Sequence, residues 1–190
     1  MVVRHAKVVS QIELQKEGDK CSMFPVSCLI RDMLVEVGIL KPFKPIRILD
    51  LTFGEGRFWA AIPQAEVWGF DIRKLRWCRK PYVFFNESCE NWKKHDVIIR
   101  NKFDLVVADP PFMAYRCGQE RRRHYEDNGD LPMILNECRK ASEYFDAPLL
   151  IHFMWKCVPY GFRVLTERWF QGYARVLKQP RPSWFGVIKA

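Results

Sequence analysis

The apolar positions of the first forty residues change from a strand-like to a helical spacing. The segment HAKVVSQIEL is a weak strand candidate, and PVSCLIRDMLVEVGIL follows it. Its apolar residues at helical spacing are Leu29, Ile30, Met33, Leu34 and Val37. Pro25 suits the first turn of this helix, and Gly38 suits its end. We therefore expect residues 1–40 to form a strand and a helix that precede the main sheet.

From Ile46 onward, short apolar runs alternate with helical stretches. The predicted strands are IRILDL, EVWGFDI, YVFFNES, FDLVVADP and APLLIHFMW, and the predicted helices are GRFWAAI, LPMILNECRKASEYF and YGFRVLTERWF. The segment GYARVLKQPRPSWFGVIKA predicts a terminal hairpin. This alternation favours an α/β fold with a doubly wound, mostly parallel sheet and helices on both faces. We expect one domain over residues 1–190, with its core in 41–190, and ligands at the carboxyl ends of the strands.

The charge of the chain suggests a class of partner. The 190 residues carry a formal net charge of +9 and have a pI of about 9.3. A basic excess of this size is typical of proteins that bind nucleic acid, although an ordinary solvated basic surface produces the same excess. Charge alone therefore leaves two interpretations open: a polyanionic partner, or an ordinary solvated basic surface.

No feature of the sequence points to a membrane or to a metal. The first twenty residues lack the long apolar region of a signal peptide, and no apolar run is long enough to span a bilayer. The seven cysteines are scattered without a C-x-x-C pair or a zinc spacing. We expect a cytoplasmic protein that has mostly reduced thiols, no bound metal and no membrane contact.

A glycine-containing loop follows the strand IRILDL. In ILDLTFGEGRFW, Gly54 and Gly56 lie just after the strand, and Trp59 stands where a dinucleotide fingerprint has its third glycine. About twenty residues further on, the next strand ends in Asp71, which is placed to accept hydrogen bonds from ribose hydroxyls. Asp50 precedes the loop. The pattern suits a nucleoside ligand without a pyrophosphate, or alternatively an ordinary turn followed by a solvated acid.

The segment VVADPPFMAY ends the fourth predicted strand of the core. Pro110 and Pro111 fix φ and remove backbone donors, so the turn is stiff and offers acceptors only. Asp109 adds carboxylate oxygens, and Phe112 adds a flat face for stacking. Two acceptors beside an aromatic face suit a planar ring that bears an NH₂ group, since they favour a tetrahedral, nucleophilic nitrogen. The alternative is a rigid strand-to-helix turn with a capping acid.

Together, DLTFGEG, GFDIRK and ADPPF resemble the class I S-adenosylmethionine-dependent methyltransferases. More narrowly they resemble the amino-methyltransferases of nucleobases, whose signature is [DNS]-P-P-[YFW]. The resemblance implies a Rossmann-like sheet of seven strands, mostly parallel, with a C-terminal antiparallel hairpin. It implies that the cofactor is contacted near Asp50, Phe53, Gly54, Gly56, Asp71 on the ribose and Asn86 near the adenine, with Pro25 and Ser27 as further candidates.

By the same resemblance, Asp109 and Pro110 hold the target amine and Phe112 stacks on the base. The family uses this form of the motif for adenine N6, cytosine N4 and guanine N2. The small domain and basic charge are more similar to RNA enzymes than to DNA enzymes, in particular to archaeal-type ribosomal RNA cytosine-N4 methyltransferases. DNA and a protein side-chain amide stay open as substrates. A non-catalytic RNA-binding scaffold with this fold is the alternative of another class.

The segment after the motif is a candidate for substrate binding. Residues 113–130 are long for a connection in a compact fold. Arg121, Arg122, Arg123 and Tyr125 could neutralise phosphates and stack on bases, next to Pro111 in the rigid turn. A solvated loop with internal ion pairs is the alternative. We interpret His152, in the apolar fifth strand, as a core histidine, and we expect no catalytic histidine.

Overall fold

The structure is a computed structural model, and it describes residues 7–10, 24–73, 76–110, 131–174 and 179–190. The strands are β1 (Lys7–Ser10), β2 (Ile46–Asp50), β3 (Ala65–Phe70), β4 (Val83–Phe85), β5 (Leu105–Ala108), β6 (Leu149–Phe153), β7 (Arg163–Ala174) and β8 (Gln179–Lys189). The α-helices are α1 (Pro25–Glu36), α2 (Asp96–Ile99) and α3 (Leu131–Phe145), and short 3₁₀ helices span Arg57–Trp59 and Cys89–Lys94.

All eight strands form one sheet with the order β1-β7-β8-β6-β5-β2-β3-β4. Every neighbouring pair is parallel except for β8, which runs antiparallel to both β6 and β7. This confirms the predicted Rossmann-like sheet, which is mostly parallel and has a C-terminal antiparallel hairpin. The seven strands β2 to β8 form the predicted core, and β1 adds an edge strand from the N-terminal extension.

Helices cover both faces of the sheet, as predicted. On one face, Ile30, Met33 and Leu34 of α1 are fully buried in one apolar cluster with sheet residues such as Ile48 and Leu150. On the other face, α3 and the 3₁₀ helix Cys89–Lys94 pack in a second cluster through Trp92, Cys138 and Ala141. Strand β5 is buried at every position and is a continuous apolar run, whereas β2 and β6 are buried at every position except Arg47 and His152.

The predicted helix YGFRVLTERWF is wrong, since these residues enter strand β7 at Arg163. Phe162, Leu165 and Trp169 have helical spacing, but the segment is rich in β-branched and aromatic side chains. Thr166 and Phe170 are buried, and the whole strand pairs with β8 across a register shift between Val164 and Thr166. The long partner strand therefore overrides the local helical spacing.

One further helix prediction is confirmed, and another differs in extent. Helix α1 ends before Gly38, which has a φ of +74°, as expected for a glycine at a helix end. The predicted helix GRFWAAI is reduced to the 3₁₀ turn Arg57–Trp59. The β2–β3 connection is therefore a compact loop that lies close to the end of β2.

Four of the described cysteines are free thiols, and Cys28 is disulfide-bonded. Burial raises the pKa of Cys89 to about 12 and raises the pKa of Cys138 well above its usual value. Both thiols are therefore neutral at physiological pH and make poor nucleophiles. This fits their interpretation as core residues.

Candidate active site

Three acids lie at the carboxyl ends of neighbouring strands. Asp50 ends β2, Asp71 follows β3, and Asp109 follows β5. The strand order reverses between β2 and β5, because β3 and β4 extend the sheet on one side while β6 and β8 extend it on the other. Ligands of doubly wound sheets bind at such a reversal, so the three acids flank the expected crevice.

Asp50 lies beneath the glycine loop. Its side chain accepts hydrogen bonds at Oδ1 from the backbone N of Thr52 (3.0 Å) and at Oδ2 from Nε1 of the buried Trp59 (2.8 Å). Burial raises the pKa of Asp50 to about 7, opposed by these hydrogen bonds and reinforced by the charge of Asp109. Asp50 therefore supports the loop from below, and Trp59 occupies the third-glycine position in order to hold this acid.

Thr52 connects the glycine loop to Asp109. Its Oγ1 accepts a hydrogen bond from the backbone N of Asp109 (2.7 Å) and donates one to Oδ1 of Asp50 (3.3 Å). The start of the proline motif is thus tied to the end of β2 by one hydroxyl group. Sequence reasoning did not single out Thr52.

Gly54 joins the glycine loop to the acid at the end of β3. Its backbone N donates to Oδ2 of Asp71 at 3.0 Å, and its φ is +58°. A Cβ at Gly54 would meet only the carbonyl oxygen of Thr52 at 3.8 Å, so the loop is open at this point. An open, left-handed glycine beside a carboxylate suits close approach of a ligand to the backbone.

The carboxylate of Asp71 is already saturated with donors. The backbone N and Nε of Arg73 donate to Oδ1 at 2.8 and 2.9 Å, and its Nη2 donates to Oδ2 at 2.9 Å. With the Gly54 contact, these bonds fill the roughly four acceptor positions of a carboxylate. A ribose can therefore reach Asp71 only if the guanidinium of Arg73 moves away.

Phe53 and Gly56 shape the loop from within. The ring of Phe53 is buried in the core, and a Cβ at Gly69 would come within 2.5 Å of its Cγ. Gly56 has a φ of +72°, and a Cβ there would come within 2.6 Å of the Arg79 carbonyl oxygen. The Phe53 ring also packs against Phe84, with ring centroids 6.2 Å apart, and its predicted contact with a cofactor stays a prediction.

Two further candidates for the cofactor pocket, Asn86 and Ser27, make hydrogen bonds within the chain. Asn86 follows β4 and donates from Nδ2 to the backbone oxygen of Asp71 at 2.9 Å. Ser27 in α1 donates to the oxygen of Phe58 at 2.7 Å and accepts from the backbone N of Ala61 at 2.8 Å. Asn86 therefore fixes the end of β3, and Ser27 fastens α1 to the loop.

His152 joins the site, and sequence reasoning missed it. Its Nδ1 lies 2.7 Å from Oδ1 of Asp109, and its ring stacks on Phe185 at 4.0 Å with an interplanar angle of 11°. The core interpretation is therefore incomplete, since the ring packs on aromatics but also bonds the motif acid. The available signal was position: His152 is polar, near the end of the strand beside β5.

Half of the proline motif lies outside the described residues. Asp109 is partly exposed and Pro110 is buried. The other predicted site residues, Pro111, Phe112, Arg121, Arg122, Arg123 and Tyr125, lie outside the described residues. Among the residues that the structure does describe, no group of three or more His, Cys, Asp and Glu side chains could hold a metal ion. Within the same ranges, no helix is long and apolar enough to cross a membrane.

Comparisons with known proteins give similarities at low identity. No protein-family model and no curated protein matches the chain. A SAM-dependent methyltransferase from Agrobacterium tumefaciens is 17% identical, with a TM-score of 0.49, over 87% of this chain and 62% of that chain. An rRNA methylase from Streptococcus thermophilus is 13% identical, with a TM-score of 0.46, over 85% of this chain and 94% of that chain.

A third similar structure is the 1,6-didemethyltoxoflavin-N1-methyltransferase of Burkholderia thailandensis, with bound 1,6-didemethyltoxoflavin and S-adenosylhomocysteine. It is 13% identical, with a TM-score of 0.49, over 90% of this chain and 80% of that chain.

Proposed function

We propose that this chain is an S-adenosylmethionine-dependent methyltransferase that modifies the exocyclic amino nitrogen of a base in RNA, with cytosine N4 of ribosomal RNA as the first candidate. The observation that supports this most is the setting of Asp109. Its backbone is tied to the glycine loop through Thr52, and its carboxylate is partly exposed at the crevice. An acid in this position can hold an amine beside a nucleoside bound at the loop.

The residues around the loop fit such a cofactor. Gly54 leaves the loop open, and Asp71 beside it is suited to a ribose once Arg73 releases it. Asn86, after β4, would lie near the adenine, and Asp50 would keep the loop in place from below. S-adenosylmethionine supplies an electrophilic methyl group, which the substrate nitrogen takes by direct displacement while the electron pair of the broken carbon–sulfur bond stays on sulfur.

The chain's own groups act on the substrate amine. The Asp109 carboxylate and the Pro110 carbonyl accept hydrogen bonds from the two N–H groups of the amine. These bonds favour the tetrahedral nitrogen of the transition state. After transfer, the nitrogen is positively charged and acidic, and one proton leaves to Asp109 or to water. We assign stacking on the base to Phe112, and contact with the RNA chain to Pro111, Arg121, Arg122, Arg123 and Tyr125.

One observation favours the scaffold alternative. Arg73 fills the acceptor positions of Asp71 that a ribose would use. A chain that keeps the fold without binding the cofactor could retain this ion pair permanently. The two functions differ in a direct measurement, since only the enzyme binds S-adenosylmethionine in calorimetry.

The function is tested with tritiated S-adenosylmethionine and separate pools of unmodified ribosomal RNA, transfer RNA and genomic DNA. We expect label in one nucleoside of RNA after digestion and separation by mass. Label in DNA would overturn the RNA assignment, and label in protein alone would move the substrate to a side-chain amide. Binding to RNA should weaken steeply with added salt, because Lys and Arg contacts release counterions.

A further inference from the structure

His152 is held beside Asp109 by the register of the sheet. Ala108 of β5 pairs with Ile151 of β6, so the next residues, Asp109 and His152, lie side by side. The distance from Nδ1 of His152 to Oδ1 of Asp109 is 2.7 Å, a short hydrogen bond. The contact therefore follows from two adjacent parallel strands.

The ring of His152 has little freedom to turn. It stacks on Phe185, its cross-strand partner in β8, with centroids 4.0 Å apart, and it meets the edge of Phe58 at 5.6 Å. The backbone oxygen of Phe58 is itself held by Ser27 of α1. The side chain of His152 is only 14% exposed, so packing on two sides fixes the direction of Nδ1.

Asp109 is restrained at two points and open at a third. Its backbone N donates to Thr52, and its Oδ1 is bonded to His152. Its Oδ2 makes no hydrogen bond within the described part of the chain, and the side chain is 32% exposed. The carboxylate therefore has one anchored oxygen and one oxygen available to the crevice.

We infer that His152 is a positioning residue for the proposed reaction: its Nδ1–H donates to Oδ1 of Asp109 and so directs Oδ2 toward the substrate amine. The inference rests on the proposed function for the identity of the substrate. A donor at Nδ1 satisfies one oxygen without neutralising the carboxylate, so the other oxygen keeps its full capacity to accept an amine proton. Without this donor, the carboxylate could rotate about its side-chain torsions.

Three substitutions of His152 separate this role from simple packing. His152→Asn keeps an N–H donor close to the position of Nδ1, His152→Gln moves the donor toward the position of Nε2, and His152→Leu keeps bulk without a donor. We expect His152→Asn to retain kcat within a few-fold. We expect the Gln and Leu variants to lose roughly 10- to 100-fold in kcat, the effect of a misplaced reacting group. The cofactor dissociation constant should stay unchanged in all three.

His95 provides a matched control. It also pairs with a carboxylate, Glu87, at 2.6 Å and lies against an aromatic ring, Phe85, at 4.3 Å. It follows the short strand β4 and lies away from Asp109. No step of the proposed reaction involves His95. His95→Leu should therefore leave kcat within about two-fold of the wild type.

A measurement that does not depend on turnover is the nitrogen-15 spectrum of the histidine ring. We expect a protonated Nδ1 at His152, with a slowly exchanging proton that is lost in Asp109→Ala. An unprotonated Nδ1, or equal kcat in the Asn, Gln and Leu variants, would overturn the inference. Wild-type protein that binds the cofactor and labels no substrate would instead overturn the proposed function. In that case, the spectrum would still show whether Nδ1 of His152 donates a hydrogen bond to Asp109.

Discussion

The acids at the carboxyl ends of the strands fall into two places, the β3 end and the β2–β5 end, which differ in whether a cationic side chain pairs with the acid. At the end of β3, the carboxylate of Asp71 is paired with the guanidinium of Arg73, and only 6% of the acid side chain is exposed. At the ends of β2 and β5, Asp50 and Asp109 are joined through Thr52. Among the described residues, neither acid forms an ion pair with Lys or Arg, and the carboxylate of Asp109 has a hydrogen bond only with His152.

Under the proposed function, this difference separates cofactor binding at the β3 end from amine binding at the β2–β5 end. At the β3 end, Arg73 already balances the charge of Asp71 in the absence of a ligand. A ligand that binds Asp71 therefore has to displace the guanidinium of Arg73. The β2–β5 end has an excess of negative charge and one open carboxylate oxygen, which suits a neutral or weakly polarised amine. Substituting one acid at a time tests whether the two places have different roles.

The largest expected effect is on the rate of transfer in Asp109→Ala. Loss of the group that holds the reacting amine should lower kcat by roughly 1,000-fold, while the cofactor dissociation constant changes by less than about two-fold. Single-turnover transfer and calorimetry measure the two quantities. Asp96→Ala is the matched control, since its side chain is 86% exposed in a surface pair with Arg100. Loss of cofactor binding in Asp109→Ala would contradict the separation of tasks.

The second effect is the dependence of stability on pH at Asp50. Burial raises its pKa to about 7 in the folded state from 3.8, so the folded chain binds the proton more tightly than the unfolded chain. The stability that protonated Asp50 contributes is complete below pH 4 and is lost as the pH rises through about 7. We expect the free energy of unfolding to fall by roughly 2 to 4 kcal/mol over that range.

The test for Asp50 is denaturation at pH 4.5 and pH 8 in the wild type and in Asp50→Asn. The difference between the two pH values should be smaller in Asp50→Asn by the same 2 to 4 kcal/mol, of the order set by a three-unit shift. Equal pH dependence in the two proteins would mean that Asp50 is ionised in the folded chain.

The third effect is on cofactor affinity in Asp71→Ala. Removing the acceptor for the ribose hydroxyls should raise the cofactor dissociation constant about 10- to 100-fold, as expected for hydrogen bonds to a charged group. The maximal rate should change less than the affinity. Normal binding by calorimetry in Asp71→Ala would show that the ribose lies elsewhere.

The smallest effect concerns Arg73. Arg73→Ala frees the carboxylate of Asp71 from its internal donors, so we expect the cofactor dissociation constant to fall about three- to tenfold. The melting temperature should fall at the same time, because a nearly buried carboxylate loses its partner. Arg100→Ala, at an exposed pair, is the control for loss of a cation. Weaker binding in Arg73→Ala would mean that the guanidinium contacts the bound cofactor.

Local patterns in the sequence were enough for most of the fold. Helix α1 carries its own start and stop signals at Pro25 and Gly38, and β2, β5 and β6 are short segments of mainly apolar residues. Strand β7 has no such local signature, since its apolar residues satisfy a helical spacing as well. Its conformation is decided by pairing with β8, which lies later in the chain, and local periodicity does not report that partner.

The positions of the three acids were predictable from the sequence, but their hydrogen-bond partners were not. Asp50, Asp71 and Asp109 follow parallel strands, so their common edge could be expected from strand order alone. The fold-back of Arg73 onto Asp71 depends on the turn after β3. The bond of His152 to Asp109 depends on the register of β5 and β6, which the sequence does not reveal without the pairing.

The position of β8 has a consequence for how the chain is assembled. Among the described strands, β8 lies between β6 and β7, and β1 pairs with β7 alone. During synthesis, β1 and β7 can pair with each other but cannot join the strands that carry the acids until β8 has left the ribosome. The crevice strands β2, β3, β5 and β6 are already adjacent without it. Nascent chains that stop before residue 179 should therefore hold a partial sheet, with a detached β1–β7 pair exposing two edges to chaperones or to aggregation.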